Sequence, residues 1–260
     1  MSGYALRNSW NRARRRLSLL EEYLDPITKR RAMMLGIRRG SRCLEVGAGN
    51  GSVATWLCGQ VGPSGRVVAT DIDTRLLKDI KLSNFEAVTH DIEVESVPEG
   101  GFDFVHARWL LHHLAEPKLA ICRMIEALRP GGWLLLEEVD FFPVHTSASH
   151  VYRGFMDALT ATVVSASGRN CFWARALPAL VAEMGLRQVA GEGDFAVVRG
   201  GSPFAEFLSL TAEQVRDQMI ESGRITAERL GEALELLSSA DFWALGGGGV
   251  AVWGQLAEQS

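Results

Sequence analysis

Cysteine is scarce in this chain, and so are close pairs of it. The four cysteines, at 43, 58, 122 and 171, show neither the spacing of a zinc site nor a disulfide framework. Cys43 and Cys122 fall in apolar runs and read as small core residues, which fits a reducing, cytoplasmic location. No apolar run approaches the length of a membrane span, and the first residues lack the apolar core of a secretory signal. Neither a membrane nor an export route is therefore expected. Basic charge is not in excess either: the formal net charge of −4 speaks against a general nucleic-acid surface. Repeats and low-complexity tracts are missing apart from the short run Gly246 to Gly249, which reads as a turn.

With 260 residues, 47% of them hydrophobic, the chain can bury a substantial core as one large domain or a domain with a lid. Its charge is uneven. Residues 1–42 hold eleven Arg or Lys against three acids, about +8, which leaves −12 for the remainder. A helix with a solvated basic face explains this, as does an arm that contacts phosphate. The Arg-rich start resembles a transit peptide only until the helical pattern runs into Glu21 and Glu22.

The stretch Cys43-Leu44-Glu45-Val46-Gly47-Ala48-Gly49-Asn50-Gly51 organises everything that follows. A short apolar strand passes an acid, turns through three alternate glycines and enters a helix at Ser52. Glycine lets the backbone approach a ligand because no Cβ intervenes, and in an open α/β sheet such a corner lies where ligands bind. Dinucleotide binders prefer G-x-G-x-x-G. Here the third glycine comes one residue earlier, and Glu45 precedes the first by two. That acid suits a ligand bearing an ammonium group better than a pyrophosphate. A second strand, Arg66 to Thr70, ends at Asp71, whose carboxylate can accept both hydroxyls of a ribose. Asp73 competes for that role but reads as a helix cap, so Asp71 is the choice. Asp91 follows the strand Phe85 to Thr89 and can take the adenine amino group.

The order Glu45-x-Gly47-x-Gly49-x-Gly51, Asp71, His90-Asp91-Ile92, Phe102-Asp103-Phe104-Val105 and Leu128-Arg129-Pro130-Gly131-Gly132 resembles the class I S-adenosylmethionine-dependent methyltransferases, above all those acting on small molecules. The resemblance spans roughly residues 40 to 140. It implies a Rossmann-like, doubly wound α/β sheet of seven strands, mostly parallel with a final antiparallel strand, plus N-terminal helices and a helical insertion before the last strand. It also implies S-adenosylmethionine as cofactor, S-adenosylhomocysteine as product, and Glu45, Gly47, Ala48, Gly49, Asp71, Ile72, Asp91, Ile92 and Ala107 as cofactor-binding residues. The expected organisation is a helical cover (1–40), a cofactor-binding core (41–140) and a C-terminal part (141–260) with lid insertions near 145–185 and 202–240.

Outside the motifs, Ala5 to Leu24 reads as an amphipathic helix, with Asp25 and Pro26 starting a second helix that ends at Gly36. In similar methyltransferases such helices cover the pocket, so Tyr4 and Trp10 can line it, although Trp10 also suits the core. A helix is expected over Asp73 to Leu82. The segment after strand Phe102–His106 brings His112 and His113 together, and on a helix or turn they point apart. His112 is the candidate general base, its ordinary pKa lying near neutrality. Glu137, Glu138 and Asp140 close the apolar strand Trp133–Leu136 and either orient an acceptor or are solvated. Asp140, His145 and His150 lack the spacing and number for a metal site. Arg169 and Arg175 either recognise a carboxylate or form surface salt links. Helices follow at Ser149–Val164 and Trp173–Met184, then a strand within Leu186–Val198, helices over Ser202–Leu237, and a last strand Gly249–Gly254. The expectation is methyl transfer to a small acceptor, oxygen first, with carbon or nitrogen open. A cyclase using the bound sulfonium as a fixed charge, or a non-catalytic cofactor-binding module, are the alternatives. No nucleic-acid or membrane partner and no metal are expected.

Overall fold

The computed structural model of the chain describes residues 6–165 and 173–258. Tyr4, Arg169, Cys171 and the connection Gly168–Phe172 lie outside them.

Seven strands form one sheet in the order β3-β2-β1-β4-β5-β7-β6. They are β1 (Arg42–Val46), β2 (Arg66–Asp71), β3 (Phe85–Thr89), β4 (Phe102–Arg108), β5 (Leu128–Asp140), β6 (Arg187–Arg199) and β7 (Trp243–Gln255). Strands β3, β2, β1, β4 and β5 run parallel, whereas β7 is antiparallel to both β5 and β6. The sheet order reverses between β1 and β4, so the carboxyl ends of these strands open a crevice where a ligand can sit. The central strands are apolar on both faces because helices cover both. On one side Val53, Leu57 and Val61 of α2 (Ser52–Val61) pack against Cys43, Val67 and Phe104. On the other, Ile121 and Met124 of α3 (Pro117–Glu126) meet Leu44, Val105 and Leu134.

A separate cluster lies above the carboxyl edge. It joins Leu19 of α1 (Ala13–Met34), Tyr152, Phe155 and Leu159 of α4 (His150–Val163), and Phe204, Phe207 and Leu208 of α6 (Pro203–Gln214). Trp10 packs against this cluster. Ser149 and Ser202 cap α4 and α6 through their hydroxyls, accepting from Tyr152 N and Ala205 N. Three further α-helices complete the α-helical set among the described residues: α5 (Leu177–Glu183), α7 (Arg216–Glu221) and α8 (Ala227–Ser238).

Three expectations need correction. The leading helix begins at Ala13, not Ala5, and runs unbroken through Pro26 to Met34. Asp25 is no cap: its buried carboxylate accepts from Arg108 and Ser52 at 2.9 and 3.0 Å and pairs with Lys29 at 2.9 Å. An interior proline costs about 3 kcal/mol, and these contacts, with those of Thr28 and Arg31 described below, hold the helix across it. Between β2 and β3 the helix shrinks to a 3-10 turn, Thr74–Leu76, capped by Asp73. Leu77 and Ile80 there are drawn onto the glycine corner, so close that a Cβ on Gly51 would lie 2.7 Å from each. Finally, Gly246–Gly249 is not a turn but the middle of β7. A Cβ on Gly247 would lie 2.8 Å from the Phe141 ring and one on Gly246 2.8 Å from Val198, so the absence of side chains lets both neighbours close on this strand.

Candidate active site

The glycine corner takes its shape from left-handed backbone at Gly47, Gly49 and Gly51, with φ of 73°, 56° and 82°. Gly47 and Ala48 donate their amides to Thr70 O at 2.8 and 3.0 Å, which ties the corner to the end of β2. Gly49 N donates to Asp71 Oδ2 at 3.0 Å, and Asp73 N to Asp71 Oδ1 at 2.9 Å. Asp71 thus braces the loop it was expected to work beside. Each of its oxygens keeps room for another donor. Burial pushes its carboxyl above the ordinary value, partly offset by these amides.

The corner forms one wall of a cavity of about 330 Å3. Gly47, Gly49, Asp71, Ile72, Asp91 and Ile92 line one end; Ile72 is 45% exposed, an apolar face turned to the opening. Asp91 accepts from Glu93 N at 2.9 Å through Oδ1. The rest of the wall is made by Trp109, His112, His113 and Phe141 from the ends of β4 and β5, by Leu159, Phe207 and Leu208 from the helices and by Leu6, Arg16 and Leu20 from the N-terminal segment, while Leu17 lies against Gly49 and Asn8 donates to Asp73 O at 3.3 Å. Most of these apolar residues belong to helices whose motifs are not local, and only their amphipathic period hinted at a buried face.

Three expected cofactor residues are not on the wall, the first being Ala48, whose amide goes to Thr70 O. Ala107 is buried in the core, paired with Val46 and Leu136, and its successors Arg108 and Trp109 reach the wall instead. Glu45 is not on the wall either. Strand alternation points it into the sheet, where His106 Nδ1 donates to its Oε2 at 2.7 Å. His106 is wholly buried, and its Nε2 donates to Glu137 Oε2 at 3.0 Å. An imidazole that meets an acceptor-only carboxylate at both nitrogens carries both protons. Burial opposes that charge, but the two carboxylates outweigh it and raise the pKa to about 9. Burial likewise opposes the charge on Glu137, yet the His106 hydrogen bond brings its pKa down to about 2. Glu137 also accepts from Thr28 at 2.5 Å and Arg31 at 2.6 Å, and Arg31 reaches on to Glu192 and Asp194 on β6.

Glu138 serves the opposite face. Its Oε1 accepts the amides of Leu110 and Leu111 at 2.8 and 2.6 Å, and its Oε2 accepts His112 Nδ1 at 2.7 Å. Trp109, immediately before, sits at φ 51° with its amide on Glu137 O at 2.7 Å. An aromatic residue in this region is strained, and such strain gathers at functional sites. Its ring meets those of His112, Phe141 and Phe207. The acids at the end of β5 are therefore neither solvated nor turned to the cavity. Asp140 holds the Arg175 guanidinium by two bonds of 2.9 Å, so that arginine forms a salt link. Among the described residues no group of three or more His, Cys, Asp or Glu is placed to hold a metal ion.

The N-terminal segment is fastened over the corner. Asn50 Nδ2 donates to Arg14 O, Ser18 Oγ and Glu21 Oε2 at 3.0, 3.1 and 3.2 Å. Arg12 and Arg15 pair with Glu213 and Glu206 on α6.

Sheet order, glycine corner and acid-bounded crevice define the class I fold of S-adenosylmethionine-dependent methyltransferases. A family profile described as a methyltransferase domain matches residues 12–190, well over half of the chain, and the chain belongs to that S-adenosylmethionine-dependent family. It is 34% identical over 129 residues to the ubiquinone/menaquinone biosynthesis C-methyltransferase UbiE of Pseudomonas savastanoi pv. phaseolicola, covering 46% of this chain and 50% of that protein. The UbiE of Pseudomonas putida is 36% identical over 128 residues, with the same coverage of 46% and 50%. The chain thus spans about half the length of the curated relatives it matches. Two solved structures share the fold. Haemonchus contortus phosphoethanolamine N-methyltransferase 2 with S-adenosyl-L-methionine has a TM-score of 0.52 at 16% identity, covering 99% of this chain and 56% of that one. The [4+2]-cyclase SpnF has a TM-score of 0.53 at 18% identity, covering 85% and 76%.

The residues on the wall suit this cofactor. Glycines at 47 and 49 leave backbone open to the cavity, Ile72 and Ile92 offer apolar faces for a base, and Asp71 and Asp91 offer acceptors for hydroxyls and an amine. A pyrophosphate would meet Asp71, Asp91 and Glu93 together and be repelled.

Proposed function

We infer that the protein transfers a methyl group from S-adenosylmethionine to a small, largely apolar acceptor, with His112 as general base. Gly47, Gly49, Asp71, Ile72, Asp91 and Ile92 hold the adenosyl part; residues 1–40 and the insertions near 145–185 and 202–240 act as the cover. When bound, the cofactor supplies an electrophilic methyl on a sulfonium. The chain's own work is then to position the acceptor, exclude water and take a proton. Positioning alone supplies up to roughly 7–11 kcal/mol, and the enclosing apolar wall of Leu20, Leu159, Phe207 and Phe141 supports it.

The observation that carries the proton-transfer reading is the Glu138–His112 contact. A carboxylate on Nδ1 keeps the proton there, so Nε2 carries the lone pair that accepts the acceptor's proton. Such a base contributes roughly 10²–10⁴-fold. Oxygen is the first acceptor atom. The similarity to UbiE C-methyltransferases favours carbon as the second reading, and both need a proton removed. The test is incubation of the enzyme with 13C-methyl S-adenosylmethionine and a panel of hydroxylated ring compounds. The carbon shift of the labelled product separates O- from C-methylation. His112→Gln should slow turnover by at least the lower bound above without weakening S-adenosylhomocysteine binding; an unchanged rate removes the base. Release of a cyclised product with no label would move the protein to cyclase chemistry.

A further inference from the structure

Trp109, Phe141 and Phe207 bring their rings together on the cavity wall beside His112. They come from three separate places in the chain: just after β4, just after β5, and α6. We propose that these rings form a slot that selects a planar, unsaturated ring system as the acceptor, with Trp109 as the specificity-determining residue. The slot deepens, and rests on, the small-molecule methyl transfer inferred above.

Each ring is held in place by a device of its own. Trp109 stands at φ 51°, a left-handed conformation that bulky residues avoid. Three consecutive amides keep it there. Its own donates to Glu137 O at 2.7 Å, and those of Leu110 and Leu111 donate to Glu138 Oε1 at 2.8 and 2.6 Å. Leu110 in turn lies over the glycine corner, where a Cβ on Gly47 would come within 3.1 Å of it. The turn thus sends Leu110 to the cofactor end while the indole joins the two phenyl rings. Phe141 closes on the bare strand at Gly247, where a Cβ would lie 2.8 Å from its ring. Phe207 is braced by Phe204, with centroids 5.5 Å apart, and Phe204 by Tyr23 of α1 at 4.8 Å. Core packing needs apolar bulk but no tryptophan in left-handed backbone, and strain that the surroundings over-determine gathers at functional sites.

The angles between the rings carry the choice of ligand. The Trp109 indole crosses Phe141 at 68° and Phe207 at 64°, with centroids 6.4 and 6.2 Å apart, and crosses the His112 imidazole at 84°. None of the three lies parallel to the indole. A flat guest laid along the indole would therefore meet the others at steep angles. Offset-stacked and edge-to-face pairs are the arrangements that aromatic quadrupoles favour. A puckered, saturated ring of the same size brings no quadrupole and gains burial alone. Leu20, Leu159, Val163 and Leu208, which line the same cavity, are aliphatic and make no such distinction.

Calorimetric titrations of the full chain, saturated with S-adenosylhomocysteine, read the preference directly. The probes are two matched pairs of alcohols that differ only in the ring: benzyl alcohol with cyclohexylmethanol, and 2-naphthylmethanol with decahydro-2-naphthylmethanol. The planar member of at least one pair should bind tighter, by about 2- to 12-fold for each ring it meets. Trp109→Leu, which keeps apolar bulk, should bring that ratio close to one, and Trp109→Phe should keep most of it. A merely structural role for Trp109 would weaken both members of a pair alike and leave the ratio where it was, which overturns the assignment. If Trp109→Leu does not fold, Phe207→Leu decides in its place: the ratio should fall, and an unchanged ratio overturns the slot. Equal affinities within both pairs in the unmodified protein, or no binding of any of the four alcohols, overturn it as well. The methyltransferase reading fails by different signs: no binding of S-adenosylhomocysteine, or no label from 13C-methyl S-adenosylmethionine in any product.

Discussion

Protonated His106, clamped between Glu45 and Glu137, makes the fold's stability depend on alkaline pH. The folded pKa is about 9 against an ordinary value of 6.5. A raised histidine pKa contributes stability that is fully present below the unfolded value and is lost as pH rises through the folded one. The window therefore runs from about pH 6.5 to 9. At about 1.4 kcal/mol per pH unit between the two states, the contribution is about 3 kcal/mol. The depression of Glu137 to about 2 is the same interaction seen from its partner and is not added. Charged and polar groups facing this histidine come from every neighbouring element: Glu45 on β1, Glu137 on β5, Arg108 on β4, and Thr28 and Arg31 on α1, with Glu192 and Asp194 of β6 beyond them. Urea unfolding followed by circular dichroism from pH 6 to 9.5 reads the effect. The reference is the double variant His106→Gln/Glu45→Gln, which removes the imidazole and also the carboxylate that would otherwise take up a proton in its place. The stability gap between the two proteins should narrow by about 3 kcal/mol across the window. Parallel curves would refute a protonated His106.

Asp71→Ala removes the acceptor of both Gly49 N and Asp73 N. S-adenosylhomocysteine affinity should fall by about 10- to 100-fold by calorimetry, whereas Asp73→Ala should lower stability by about 1 kcal/mol at most and leave affinity intact. Glu138→Ala strands buried amides of Leu110 and Leu111, so it should cost about 3–5 kcal/mol in urea unfolding, and Glu138→Gln, which keeps an acceptor oxygen, markedly less. Gly247→Ala puts a methyl against the Phe141 ring. It should cost about 1–3 kcal/mol and, because Phe141 lines the acceptor side, disturb acceptor binding more than cofactor binding.

The parts of the fold legible in the sequence are those whose signal is local. The strand–glycine–helix corner, the cap at Asp73 and the helix beginning at Ser149 all depend on residues a few positions apart. Other features escaped because their cause lies far along the chain. Glu45 was read against its neighbours in sequence, but its partner His106 is on another strand. Acids at the end of β5 read equally as orienting an acceptor or as solvated, because nothing local shows that Thr28, Arg31 and Arg175 come to meet them. Gly246–Gly249 carries the composition of a turn, and only the crowding by Val198, Phe141 and Phe204 explains why a strand there must be bare.

The unbroken run of α1 is the departure with the widest consequence. At its start Arg12 and Arg15 pair with α6, over its first three turns Arg14, Ser18 and Glu21 receive Asn50 of the glycine corner, and further on Asp25, Thr28 and Arg31 enter the network around His106. Two helices meeting at Asp25 would let the first set of contacts change without the second. A single helix carries both on one axis, so a rearrangement of the network around His106 is predicted to reach the contacts that fasten the N-terminal segment over the glycine corner. The alkaline loss of His106's proton should then weaken S-adenosylhomocysteine binding over the same window as it weakens the fold, although the imidazole's hydrogen bonds go to Glu45 and Glu137 rather than to the wall. Affinity that stays flat from pH 6.5 to 9 while stability falls would show that the two halves of α1 act independently.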